Sequence, residues 1–313
     1  MSTFSLDSFL GQSISRRTAV KGALGVALAS AIPLRGLEVL AAQATDVPEV
    51  VIVTKEMSFE MPATIDSGLT RVTMDNQGMM GHHAMLMRVN DDATLEDLEA
   101  ALTQPDFGAI FAVSQSIGGP SAGPGSTGSV VLDLLPGTYI AICAIPDENG
   151  MPHYALGMQA TFEVTDSGAA GTAPEAALTI ELMEMMFHGF EGTPVAAGPQ
   201  TWEVVNAGAQ LHELVLLKLA PGVTYDQFEA MMMAPPEASP MAEMDMGAAT
   251  PAAEMAGPPF TENGGVAPMS PGYTNYFEAD LVAGEYAVIC FVPDPETGAP
   301  HFALGMIAGI SVA

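Results

Sequence analysis

Positive charge is what this chain most lacks. Its 313 residues hold 8 Lys and Arg against 37 Asp and Glu, a formal net charge of −29. Arg16, Arg17, Lys21 and Arg35 crowd near the start, leaving only Lys55, Arg71, Arg88 and Lys218 for the rest. A surface so depleted repels phosphate backbones and anionic bilayers, which excludes nucleic acid as a partner and argues against a membrane surface. It suits a cationic partner or metal ions, and it equally suits plain solubility in a salty medium. Long apolar runs are missing too. The stretch from Ala23 to Leu34 is interrupted by Pro33 and falls short of the ~20 residues a bilayer span requires, so no stable membrane insertion is expected. Also absent are a Gly-rich phosphate loop, a His-Glu-x-x-His zinc motif and a Gly-x-Ser-x-Gly nucleophile elbow. Cysteine and histidine are scarce, with 2 and 6 copies.

The few bases at the start form a pattern. Ser15-Arg16-Arg17-Thr18-Ala19-Val20-Lys21 resembles the twin-arginine export signal, with Ala19 where that signal usually has a bulky apolar residue. The short apolar stretch follows, and Ala42-Gln43-Ala44 then offers small residues for a signal peptidase. Residues 1–44 are therefore expected to direct export, making the protein periplasmic or extracellular. No Cys lies in this segment, so it holds no lipoprotein anchor.

The remainder is a repeat of two long units. Gly137-Thr138-Tyr139-Ile140-Ala141-Ile142-Cys143 matches Gly284-Glu285-Tyr286-Ala287-Val288-Ile289-Cys290. Pro146-Asp147 and Pro152-His153-Tyr154-Ala155-Leu156-Gly157-Met158 match Pro293-Asp294 and Pro300-His301-Phe302-Ala303-Leu304-Gly305-Met306. Upstream, Asn76-Gln77-Gly78 with His82 matches Asn206-Ala207-Gly208 with His212. Glu56-Met57-Ser58-Phe59 matches Glu184-Met185-Met186-Phe187. A repeat of this length means two copies of one fold. The expected domains are 45–166 and 177–313, joined by a linker at 167–176 of Ser, Gly, Ala, Thr and Pro.

Short β-prone runs bounded by Gly, Pro, Asn and Asp recur in both halves, from Val50–Val53 and Tyr139–Cys143 to Leu178–Leu182 and Tyr286–Cys290. They predict an all-β protein of two tandem Greek-key β-sandwiches. Helical turns are expected at Thr94–Leu102 and Tyr225–Met233. Two stretches, 104–128 and the Met-, Pro- and Ala-rich 234–271, show no strand pattern and are expected to be loops.

The scarce residues fall at matched points of the repeat: His82, Cys143, His153 and Met158, then His212, Cys290, His301 and Met306. Only His83 and His188 are left over, and the repeat selects His82, since Glu213 stands opposite His83. Two imidazoles, a thiolate and a weak thioether suit copper that alternates between Cu(I) and Cu(II). Zinc competes for Cys and His, though Met rarely serves it. Because each Cys holds the same place in its own unit, a disulfide between them is not expected.

Gly-x-Tyr-x-x-x-Cys, a loop, and His-x-x-x-Gly-Met resemble the cupredoxin, or type 1 blue copper, superfamily, one unit per half. The resemblance implies a cupredoxin-like sandwich per half, one copper per domain and electron transfer, with Cys143 and Cys290 as thiolate ligands and Met158 and Met306 axial. The Cys-to-His spacing, with nine and ten intervening residues, is longer than in small carriers and similar to that of two-domain copper nitrite reductases. The enzyme relatives carry a His beside the Cys. Here Ile142 and Ala144, then Ile289 and Phe291, flank it. On that ground the chain is expected not to be an enzyme and to have no catalytic residues. Copper storage or delivery, and a metal-free structural module, are the rival readings. Met183, Met185 and Met186 with His188, and Met231–Met233, are either accessory Cu(I) donors or core filling.

Overall fold

A computed structural model of the chain describes residues 47–104, 107–168, 171–190, 195–234 and 258–313. Residues 1–44, expected to direct export, and residues 235–257 of the Met-rich stretch lie outside the described residues.

The first half contributes β1 (Glu49–Lys55), β2 (Ser58–Glu60), β3 (Thr64–Asp66), β4 (Gly68–Asn76), β5 (His82–His83) and β6 (Met85–Val89). It continues through α1 (Leu95–Leu102) and a 3₁₀ segment, Phe107–Ala112. Then come β7 (Ser114–Ser116), β8 (Pro120–Ala122), β9 (Thr127–Leu134), β10 (Gly137–Ile142) and β11 (Gln159–Thr165). The second half contributes β12 (Leu178–Met183), β13 (Met186–His188), β14 (Gly198–Asn206), β15 (His212–Leu219) and α2 (Tyr225–Met232). It ends with β16 (Phe260–Met269), β17 (Thr274–Leu281), β18 (Gly284–Ile289) and β19 (Ile307–Val312). Each half is a β-sandwich, as the alternation of buried and exposed residues along β4, β9, β14 and β17 requires.

Both helices start on the same device. Thr94 and Thr224 accept the third-position backbone N–H, and Asp97 and Gln227 reach back to the cap nitrogen. Both sandwiches also share a tyrosine corner. Tyr139 donates to Leu135 O at 2.8 Å, and Tyr286 donates to Val282 O at 2.9 Å. This fixes the entry of the strand that ends at each cysteine. Trp202, fully buried, packs edge-on against Phe190 and Phe277 and anchors the second core.

The halves are fused through their sheets. The strand order β13-β12-β14-β17-β9-β4-β1-β2 runs unbroken across both. A second shared sheet has the order β19-β18-β15-β16-β8-β5, and β3-β11-β10-β6-β7 belongs to the first half alone. Equivalent strands meet each other: β9 pairs antiparallel with β17 at Val130↔Phe277, and β8 with β16 at Gly265↔Ser121. The arrangement is that of a twofold-symmetric dimer joined in one chain.

Two expected loops are corrected. Stretch 104–128 holds the 3₁₀ segment, β7 and β8, and stretch 234–271 holds all of β16. The physical reason lies in a Gly-Gly pair repeated in both. At Gly119 a Cβ would meet Ala84 O at 2.0 Å, and at Gly265 one would meet Leu214 O at 2.1 Å, both at positive φ. Gly265 lies within β16 and Gly119 just before β8, and such stretches look like loop in sequence because only close pairing makes them strand.

Candidate metal centres

Each cysteine sits one residue past the end of a central strand, β10 or β18, and is fully buried and free. The chain then makes a Pro-Asp loop and returns in a 3₁₀ turn, His153–Leu156 or His301–Leu304. Backbone bonds lock that return. Tyr154 N donates to Cys143 O at 2.8 Å and Phe302 N to Cys290 O at 2.9 Å. The backbones of Met158 and Met306 are hydrogen-bonded to the cysteine and the second histidine of each half. Cys143 N donates to Met158 O and Met158 N to His153 O, and Cys290, Met306 and His301 repeat the pattern. Both methionines are fully buried.

The remaining histidine comes from the start of β5 or β15. His82, Cys143 and His153 converge, as do His212, Cys290 and His301, with the ligand atoms of each trio within 4.8 Å of one another. Cys143 Sγ lies 3.5 Å from His153 Nδ1 and 3.9 Å from His82 Nδ1. Cys290 Sγ lies 3.5 Å from His301 Nδ1, which is 3.1 Å from His212 Nδ1. All six side chains are buried. Burial, followed by the second imidazole, lowers His82 and His212 to about 4, and burial lowers His153 and His301 as well. The imidazoles are therefore neutral at pH 7, the form that ligates metal. Burial pushes the Cys143 thiol up to about 11 and Cys290 well above its ordinary value.

The donor chemistry fits a soft, borderline cation. His301 Nε2 faces the Gln210 carbonyl, so its Nδ1 is bare and points at Sγ and at a second Nδ1. In the metal-free protein the thiol proton can bridge sulfur and Nδ1, and an ion that displaces that proton would meet two nitrogens and one sulfur at a single point. Two imidazoles and one sulfur per half match the preferences of copper.

Several supporting residues were not singled out in the sequence. Asn76 and Asn206, both buried, hold the loop before each first histidine. Asn76 Nδ2 donates to Met80 O, Ala122 O and Gly123 O, and Asn206 Nδ2 to Gln210 O and Met269 O. Glu56 accepts from Met79 N and Glu184 from Ala209 N, and these backbone donors hold both carboxyls below the usual range. Glu184 Oε1 also lies 3.7 Å from His212 Nε2. Each glutamate precedes a methionine with positive φ, Met57 at 58° and Met185 at 60°, a backbone state that non-glycine residues adopt at a cost. The repeat itself was the signal that could have found them.

His83 lies outside the trio. Its Nε2 accepts Ala144 N–H at 2.9 Å, and Glu213 Oε1 accepts Phe291 N–H at 2.8 Å in the other half. Among the methionines, Met231 and Met232 pack against the cluster around Phe228, as core filling requires. The loop methionines at 241, 244, 246 and 255 lie outside the described residues.

The chain matches no protein-family model and no curated protein sequence. Among solved structures it is similar to reduced auracyanin of Roseiflexus castenholzii, with 21% identity and a TM-score of 0.28 over 44% of this chain and 99% of that one. It is also similar to copper nitrite reductase of Nitrosomonas europaea, with 14% identity and a TM-score of 0.23 over 85% of this chain and 94% of that one. A multicopper oxidase is matched at 14% identity and a TM-score of 0.23, over 85% of this chain and 88% of that one. The architecture, two fused Greek-key sandwiches with a His-Cys-His group at one end of each, is cupredoxin-like. The expectation that the chain is not an enzyme is withdrawn. Copper nitrite reductases and multicopper oxidases are among its structural neighbours, and a His-Cys-His group stands in each half.

Proposed function

We propose that the protein is a copper-binding redox protein with one copper per half. His82, Cys143, His153 and Met158 would hold the first ion, and His212, Cys290, His301 and Met306 the second. The observation that carries this reading is the convergence, once in each half, of two buried imidazoles and one buried sulfur. Copper bound there would supply one-electron exchange between Cu(II) and Cu(I). The protein supplies a mixed donor set, in which sulfur favours Cu(I) and imidazole favours Cu(II). It also supplies rigidity. The strand-end Cys, the 3₁₀ turn and the Met backbone are hydrogen-bonded together, so the donors move little when charge changes.

The acidic surface supports a cationic redox partner, and the twin-arginine-like segment supports export to the periplasm or beyond. N-terminal sequencing of protein recovered outside the cytoplasm tests the second point, with a start near Thr45 expected and an intact Met1 against it.

Copper stoichiometry and the visible spectrum test the main reading. Two copper ions per chain and an intense thiolate-to-copper band are expected, and Cys143→Ser and Cys290→Ser should each remove one ion and part of the band. An unmutated chain without that band sinks the reading.

A further inference from the structure

The two donor groups differ on their outer side. His301 Nε2 lies 3.0 Å from Gln210 Oε1, and Gln210 Nε2 donates to Asp294 Oδ2 at 3.3 Å. Asp294 is itself fixed, because its Oδ1 accepts from Glu296 N, Thr297 N and Thr297 Oγ1 at 2.7–3.2 Å. With its amide hydrogens turned to a carboxylate, Gln210 can offer only its carbonyl to the imidazole. His301 thus carries its proton on Nε2 and keeps Nδ1 bare, 3.5 Å from Cys290 Sγ.

Among the described residues the first half has no such chain. Met80, four residues past Asn76 as Gln210 is past Asn206, has only a weakly accepting thioether. His153 Nε2 is buried without a hydrogen-bond partner among the described residues. Asp147, the counterpart of Asp294, is instead occupied by Asn149 N, Asn149 Nδ2 and Met151 N at 2.8–3.2 Å.

We propose that Gln210, held by Asp294, is a positioning residue that makes the two centres unequal. It locks the tautomer of His301 and strengthens Nδ1 as a donor, so the second-half site favours Cu(II) and has the lower reduction potential. An acceptor on the outer N–H raises the basicity of a ligating imidazole, and a more basic ligand stabilises the more highly charged ion. The first-half site, lacking the acceptor, has the higher potential. This inference rests on the copper reading.

The test uses the full chain with one site silenced at a time. In Cys143→Ser the remaining second-half centre should titrate at a lower potential than the first-half centre of Cys290→Ser. Gln210→Met should raise the potential of the former, and Met80→Gln should lower that of the latter. Equal potentials that neither exchange moves would overturn the proposal. Nitrogen-15 NMR of the metal-free chain gives a separate readout. His301 should be the Nε2–H tautomer, and Gln210→Met should convert it to a mixture. An unchanged tautomer overturns the role of Gln210 even if copper binds. A chain that takes up no copper defeats the copper reading, while the tautomer still decides the role of Gln210.

Discussion

Beside each cysteine, two unlike residues do the same work. His83 and Glu213 are both buried, and each accepts the N–H that follows Cys143 or Cys290. What the fold demands there is an acceptor, not a charge. Burial lowers His83 to about 3 and raises Glu213 to about 7, so each leans towards its neutral form. Glu213→Leu should orphan the Phe291 N–H and cost about 1–3 kcal/mol in urea unfolding, whereas Glu213→Gln should keep most of the stability. The ligand thiols give a second prediction at this scale. With Cys143 raised to about 11 and the histidines already neutral, metal uptake at pH 7 displaces the thiol proton alone. About one proton per ion should appear in unbuffered titration, and affinity should strengthen as pH rises. Release of several protons per ion would contradict this picture.

Among the elements, β8 and β16 join the halves and hold the strand that presents His82. Asn275 on β17 accepts Gly119 N–H at 3.0 Å and donates to Ile117 O at 2.8 Å, both buried bonds between halves. Asn275→Ala should leave one donor and one acceptor unpaired, about 1–3 kcal/mol for each, and lower the thermal midpoint. These same elements show where sequence reasoning stops. β4 and β14 were legible because their apolar residues alternate, and β10 and β18 because a short apolar run follows a Gly. The trios His82–Cys143–His153 and His212–Cys290–His301 were legible because scarce residues recur in step. By contrast, β16 carries Gly264-Gly265 and Pro268, and β8 begins on Pro120 after Gly118-Gly119, poor strand formers that tertiary pairing, both within each half and across the halves, makes into strand. Gln210 was hidden for the opposite reason. It breaks the repeat, and its role appears only once Asp294 and His301 meet around it.

At the scale of the whole molecule, the fusion places a half-buried carboxyl between the halves. Glu262 on β16 lies against Gly81 and Gly123 of the first half, where a Cβ at Gly81 would meet its Oε2 at 2.7 Å. Burial raises this carboxyl to about 7, against a smaller lowering by Ser121, and Glu213 is the acidic neighbour it influences. A raised carboxyl stabilises the fold fully below its unfolded value near 4.5, and that stability is lost as pH rises through about 7. Glu262→Gln should therefore flatten the decline of stability across that window and unfold at a higher temperature at pH 8. An unchanged pH profile would count against it. The partly buried bidentate pair of Arg71 with Glu278, both contacts at 2.8 Å, ties the halves with one of the few bases in the chain.

The claim on which all three scales depend is that each half closes two imidazole nitrogens and one thiolate sulfur around a single copper. X-ray absorption at the copper edge of the loaded chain measures this directly. The account predicts one short copper–sulfur contact and two nitrogen contacts per ion, with two ions per chain. A shell of oxygen and nitrogen without sulfur would contradict it.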